Sequence, residues 1–273
     1  MNYKTPKISK KIIKSKAPKK TTKSRRIIYD GMKNSEPDLY AQYKRNKDSE
    51  YVFNDRYINL KINHELREYI LNYILNLCFE FEYELYTYFL CIALYDKFLL
   101  KEYSISKDIF EKDITESIKN YLKFICLTCL VIAAKFNEHS QQSLAEYSKY
   151  SEYSIDNIIH QEGKILKTLD WVVELPTSYY FFEYYNSNKR LVLCSGNVIN
   201  VTKYILINLS MDANSLKYKP SLLALCALLV ADEKINTETH DLLELWKHIL
   251  IEFTGYNSDE IKVCKDFILN SIL

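Results

Sequence analysis

Two cysteines three positions apart, Cys126 and Cys129, have the spacing of half a zinc site or of a redox dithiol. Neither chemistry is complete. No second pair and no nearby His accompanies them, and both lie inside the apolar run YLKFICLTCLVIAAKFNE, residues 121–138. Small side chains that let helices approach closely are the simpler account of them. His64, His139, His160, His240 and His248 show no metal-ligand spacing. Neither GxGxxG nor GxxxxGK[ST] occurs, and the chain has only 4 Gly from which to build a phosphate loop. No Ser/His/Asp set and no carboxylate pair stands out. The residues point away from an enzyme and give no reason to expect a cofactor, a metal or a small-molecule substrate. What remains is binding chemistry. The apolar run ends abruptly at Lys135, Phe136, Asn137 and Glu138, delivering a Lys-Phe pair to the surface, and Glu162 follows on the second helix after it. Taken alone, Lys135 suits the negative end of a helix dipole and Glu162 an exposed helix face.

The elements that must position these residues are helical. Leu127, Leu130, Val131, Ala133 and Ala134 sit in a run that is apolar all round, which predicts a buried helix. Its length and its Cys and Thr content argue against a membrane span. Before it, Asn63 is the expected N-cap of a helix over HELREYILNYILNLCF, with Leu66, Ile70, Tyr73, Ile74 and Phe79 at helical spacing. A second helix is expected over roughly 82–100. The polar stretch 101–118 reads as a long loop or an added helical turn. After the central helix, 140–150 and 154–169 make two more, the latter with Ile155, Ile158, Ile159, Glu162, Ile165, Leu166 and Leu169 recurring at three and four. Pro176 stops this set of five. SYYFFEYY, GNVINVTKYILINLS, SLLALCALLVAD behind Pro220, TETHDLLELWKHILIEFTG and SDEIKVCKDFILNSIL form a second five. SLLALCALLVADEK resembles FICLTCLVIAAKFNE. The expected architecture is all-α, with two tandem five-helix units, each around a buried third helix.

Charge is unevenly placed. Residues 1–26 carry 11 Lys or Arg and no acid, whereas the other residues hold 26 basic and 35 acidic side chains, a net of −9. Residues 1–34 therefore read as a disordered basic tail, and Lys19-Lys20 with Lys23 to Arg26 could serve nuclear import. A short helix follows from Pro37, with Leu39, Tyr40 and Tyr43 on one face. The seven scattered Cys read as reduced buried thiols of an intracellular protein, nuclear, cytoplasmic or both. The N-terminus shows no signal-peptide pattern, and no membrane association is expected.

The order of motifs resembles the cyclin family, its A/B-type members in particular. LREYILNYIL (66–75) stands where the family opens its first repeat, and Asp96-Lys97-Phe98-Leu99 where it has Asp-Arg-Phe-Leu. Ala134 to Glu138 resembles Ala-x-Lys-Phe-Glu-Glu, Glu162 falls on the family's helix-five Glu, and Pro176-Thr177 on the inter-repeat Pro-Thr. In the second repeat, KYILINLSMDANSLKYKPSLLALCALLVAD and Thr254-Gly255-Tyr256 also have counterparts. The resemblance covers about 36–273 and implies two cyclin boxes, 35–175 with the N-terminal helix and 176–273.

It implies a non-catalytic partner of a cyclin-dependent Ser/Thr kinase, acting in cell-cycle control. In the family the cyclin packs on the kinase's αC helix and completes the Lys–Glu pair that phosphoryl transfer needs. Lys135, Phe136, Glu138, Glu162, Leu166, Trp171 and Val173 would contact the kinase, joined by Leu39, Tyr40 and Tyr43. Arg67 and Asp96 would form a structural pair within the first repeat. The family's substrate-docking patch maps to Leu66, Tyr69, Ile70, Tyr73, Leu122 and Lys123. Three of its usual residues (Met, Trp, Gln) are replaced by Leu66, Tyr73 and Lys123, which counts against Arg-x-Leu protein substrates. Two other readings stand beside this one: a cyclin-fold transcription factor or nucleic-acid adaptor, and a scaffold without kinase activation. The basic tail fits nucleic acid; the acidic body argues against it.

Overall fold

In the computed structural model, residues 46–105, 114–187, 195–235 and 241–272 are described. The expected tail, Leu39, Tyr40, Tyr43 and Cys194 lie outside them. Among the described residues there are helices and no strand.

Two short helices, α1 (Asp55–Ile58) and α2 (Lys61–Glu65), lead into α3 (Arg67–Glu80), α4 (Leu85–Ile105), α5 (Glu116–Asn137), α6 (Leu144–Lys149) and α7 (Ile155–Thr168). The second five are α8 (Ser178–Ser187), α9 (Gly196–Met211), α10 (Pro220–Ile235), α11 (Asp241–Thr254) and α12 (Ser258–Ile272). Short polar side chains set several starts. Thr115, Ser143, Ser154 and Ser195 each accept a hydrogen bond from a first-turn amide, and Ser154 with Asn157 completes a capping box.

Two expectations are corrected and one choice is decided. Asn63 is no N-cap: it is buried inside α2, where its Nδ2 donates to the Tyr57 carbonyl at 2.7 Å, and α3 begins beyond a break at Leu66. Of the two readings of 101–118, the described residues fit added helical turns: α4 runs on to Ile105 and α5 starts at Glu116, after non-helical Ile114 and Thr115. That extension makes α5 22 residues, long and apolar enough by length and composition to cross a membrane; its burial among other helices is what makes it a core helix.

In α5, Phe124 to Ala134 form an unbroken buried stretch, and α5 touches α3, α4, α6 and α7. In α10 the stretch Ser221 to Asp232 is buried, and α10 touches α8, α9, α11 and α12. Each central helix is thus walled by the other four of its repeat. Six free cysteines lie buried here, and burial pushes the Cys91 and Cys129 thiols up, leaving them protonated at neutral pH.

The repeats meet through α3–α9 and α4–α8. Tyr179 of α8 stacks on Phe89 at 5.3 Å and meets Tyr86 edge-on at 5.0 Å. Residues 48–55 straddle both halves. The Tyr51 hydroxyl accepts from Lys97 at 2.9 Å, the Phe53 amide donates to the Leu216 carbonyl at 2.9 Å, and buried Asp48 accepts from the Ser221 amide and hydroxyl. Asp48 thereby caps α10, whose first residue Pro220 has no amide to offer. Gly255, at φ +71°, closes α11 and turns the chain toward Tyr256, whose hydroxyl meets Ser221 Oγ at 2.6 Å.

Candidate protein-binding face on α5 and α7

The buried charge of the first repeat comes first. Arg67 of α3 forms a two-pronged pair with Asp96 of α4, one prong at 2.9 Å, and both side chains are buried. Burial works against the guanidinium charge, but Asp96 outweighs it and holds Arg67 above its ordinary value. The sequence does not show that Arg67 Nε also donates to the Ser210 carbonyl at 3.0 Å, tying the pair to α9 of the second repeat.

Lys135 ends α5, and its Nζ reaches both carboxylate oxygens of Glu162 on α7, at 2.6 and 2.7 Å. The lysine side chain is 38% exposed and the glutamate 14%. The pair ties the last turn of α5 to the middle of α7. Lys135 retains a third donor and Glu162 further lone pairs, so the pair can still bond to something outside.

Around it lies apolar surface that is partly exposed among the described residues. Phe136 is 46% exposed, Ile159 51%, Ile155 39%, Trp171 67% and Val172 50%. Ile155, Ile159, Glu162 and Leu166 share one stripe of α7, while Ile158 and Ile165 turn inward. Sequence periodicity groups all these isoleucines with Glu162 at a spacing of three and four. Spacing does not separate the exposed two from the buried ones, because Ile158 and Ile159 both stand about one turn from Glu162. Val173 is half-buried; its neighbour Val172 is the more exposed. Gly163 lies beside Ile159 on this side of α7, and a Cβ there would meet nothing within 4 Å.

Trp171 is held out by an unusual exit. Asp170 and Trp171 have φ of 54° and 61°, left-handed for two non-glycine residues in a row. Each costs about 1–2 kcal/mol. The Trp171 amide donates to the Leu166 carbonyl at 2.8 Å and the Asp170 amide to that of Lys167 at 3.1 Å, a Schellman arrangement at the end of α7.

Glu138 is engaged within the repeat. Its carboxylate accepts from the Glu84 amide at 3.1 Å and from the Thr87 hydroxyl, capping α4. On the far side of α3, Leu66, Ile70 and Leu122 are buried, and Tyr69 is 46% exposed. Half-buried Tyr73 donates its hydroxyl to the Tyr150 carbonyl. Lys123 lies 4.3 Å from the centre of the Tyr73 ring and 5.8 Å from that of Tyr69, with Lys119 at 4.5 Å from Tyr69. Among the described residues no cluster of three His, Cys, Asp or Glu is placed to hold a metal.

Comparison with known proteins agrees with this architecture. Residues 38–174 match the family "Cyclin, N-terminal domain" and 176–272 match "Cyclin, C-terminal domain". A putative cyclin-B3-1 of Arabidopsis thaliana is 26% identical over 209 residues, covering 74% of this chain and 46% of that protein. A G2/mitotic-specific cyclin-2 of Medicago sativa is 24% identical, covering 83% of this chain and 64% of that one. The human G2/mitotic-specific cyclin-B3 is 23% identical over 89% of this chain and 16% of its own length. The chain thus spans about half the length, or less, of most of these relatives. In fold it is similar to a viral cyclin from Herpesvirus saimiri, with a TM-score of 0.57 at 18% identity over 76% of this chain and 86% of that one.

Proposed function

This chain belongs to the cyclin family, and from that premise we propose that it is the non-catalytic regulatory subunit of a cyclin-dependent Ser/Thr kinase, seating the kinase's αC helix on the α5–α7 face. The observation that supports this most is the exposed apolar stripe Phe136, Ile155, Ile159 and Trp171 around the Lys135–Glu162 pair. Ile155, Ile159 and Trp171 each keep more than a third of their surface exposed among the described residues. Apolar groups of this size left open around a satisfied charge pair fit an interface: anchors beside a polar contact.

The mechanism is a population shift. Moving a kinase from 1:99 to 99:1 in favour of its active arrangement takes about 5.5 kcal/mol of differential binding. At about 25 cal/mol per Å², that corresponds to roughly 220 Å² of apolar surface buried only in the active state. A few large side chains suffice. Phe136, Ile159, Leu166 and Trp171 would seat the apolar side of αC, while Lys135 and Glu162 bond to its polar groups. Glu138, engaged on α4, is left out of this contact. Lys119 and Lys123 over the Tyr69 and Tyr73 rings would repel a basic docking segment, so substrates carrying Arg-x-Leu are not expected to bind there. The protein would act inside the cell, in cell-cycle control.

The test is capture of cyclin-dependent kinases from a panel, with phosphorylation of a histone-type peptide as readout, using the full chain beside Lys135→Ala/Glu162→Ala. Activation by the wild type, lost in the variant, is expected. Binding without activation would favour a scaffold. Failure to bind any kinase, together with salt-dependent DNA affinity in residues 36–273, would favour a nucleic-acid adaptor.

A further inference from the structure

The exposed tryptophan of the α5–α7 face has a support from outside its own helix. Lys101, near the end of α4, donates Nζ to the Thr168 carbonyl and to Asp170 Oδ2, both at 2.7 Å. The first bond satisfies a carbonyl that the end of α7 leaves without an intrahelical partner. It also brings a cation to the negative end of the helix dipole. The second holds the Asp170 carboxyl below its ordinary range. The next residue, Glu102, accepts from Lys164 of α7 at 2.7 Å. Two consecutive residues of α4 therefore clasp the last part of α7, and both come from the 101–118 stretch.

We propose that Lys101 is a positioning residue that locks the left-handed Asp170–Trp171 exit and so presents Trp171 as a pre-ordered anchor for a pocket on the bound kinase. This rests on the kinase-binding reading above. Two adjacent left-handed non-glycine residues persist only where surroundings over-determine them. Backbone bonds from Trp171 and Asp170 alone form the common helix-end pattern that usually takes a glycine. The cross-helix bonds from Lys101 supply the extra constraint here. A large aromatic already fixed in its bound orientation loses little freedom on association, which is where the affinity gain comes from.

The chain has 2 Trp, so 5-fluorotryptophan labelling gives two ¹⁹F resonances, and Trp171→Phe assigns them. In Lys101→Met the Trp171 resonance should narrow and move toward the free-indole position, while Lys101→Arg, which keeps donors for both oxygens, leaves it in place. Kinase affinity should fall about tenfold in Lys101→Met through faster dissociation and return in Lys101→Arg. Added to Trp171→Ala, Lys101→Met should cost nothing further. An unchanged Trp171 resonance in Lys101→Met, or additive losses with Trp171→Ala, would overturn the proposal. If wild type binds no kinase, the functional reading fails, while the resonance in the free chain still decides whether Lys101 positions the turn.

Discussion

Lys135 and Glu162 contact each other at the surface, and exposed pairs contribute 0 to about 1 kcal/mol. Lys135→Ala/Glu162→Ala should therefore lower Tm by no more than about 4 °C in differential scanning calorimetry. Its effect on a partner can then be read without a folding defect. Arg67 is the opposite case. It is buried, bonded twice to Asp96 and once across to Ser210. Arg67→Ala strands Asp96 and should cost about 3–5 kcal/mol in urea unfolding; an unchanged midpoint would contradict the structural role. Asp48 adds a pH dependence. Burial outweighs the opposing Ser221 bonds and raises its carboxyl to about 6. The folded state then holds the proton more tightly than the unfolded one, so this group's contribution is present at low pH and lost as pH rises through about 6. Between pH 5 and pH 7 wild type should lose stability relative to Asp48→Asn, measured by urea midpoints; parallel curves would refute this.

At the scale of elements, α7 faces two ways. Its inner stripe, Ile158 and Ile165, is core; its outer stripe, Ile155, Ile159 and Leu166, carries a glycine beside it. Glycine inside a helix costs about 1 kcal/mol relative to alanine, and among the described residues nothing lies within 4 Å of a Cβ at 163. Gly163→Ala should thus raise Tm by a few degrees while weakening kinase binding, if the gap admits a partner's backbone. A rise in Tm with unchanged affinity would assign Gly163 no part in binding. Helix identity was legible in the sequence wherever a segment was long and either periodic or wholly apolar, as α5 and α10 were. Ends were less so. α4 and α5 extend into a polar stretch because exposed helix turns need no apolar residues, and there tertiary contacts such as Lys101 with Thr168 decide the outcome. Asn63 misled for a related reason: its amide serves the buried Tyr57 carbonyl instead of a helix start. Motif order singles out Lys135 and Glu162 but not their contact with each other, and the exposed Ile155 and Ile159 were not legible, since periodicity gives spacing but not which stripe faces water.

For the whole molecule, the two repeats are joined by charge and aromatic contacts distributed along their seam: Arg67 to Ser210, Tyr179 on Phe89, and Asp48 capping α10. This makes the body one surface from which a single face can act. The account's central claim is that this face is the α5–α7 stripe. It is tested most directly by calorimetric affinity for the kinase that the chain captures, comparing Phe136→Ala/Ile159→Ala with Tyr204→Ala/Val263→Ala, a pair equally exposed on the second repeat. The claim predicts at least a tenfold loss for the first pair, about 1.4 kcal/mol or more, and none for the second. Equal affinities, or a loss confined to the second-repeat pair, would contradict it.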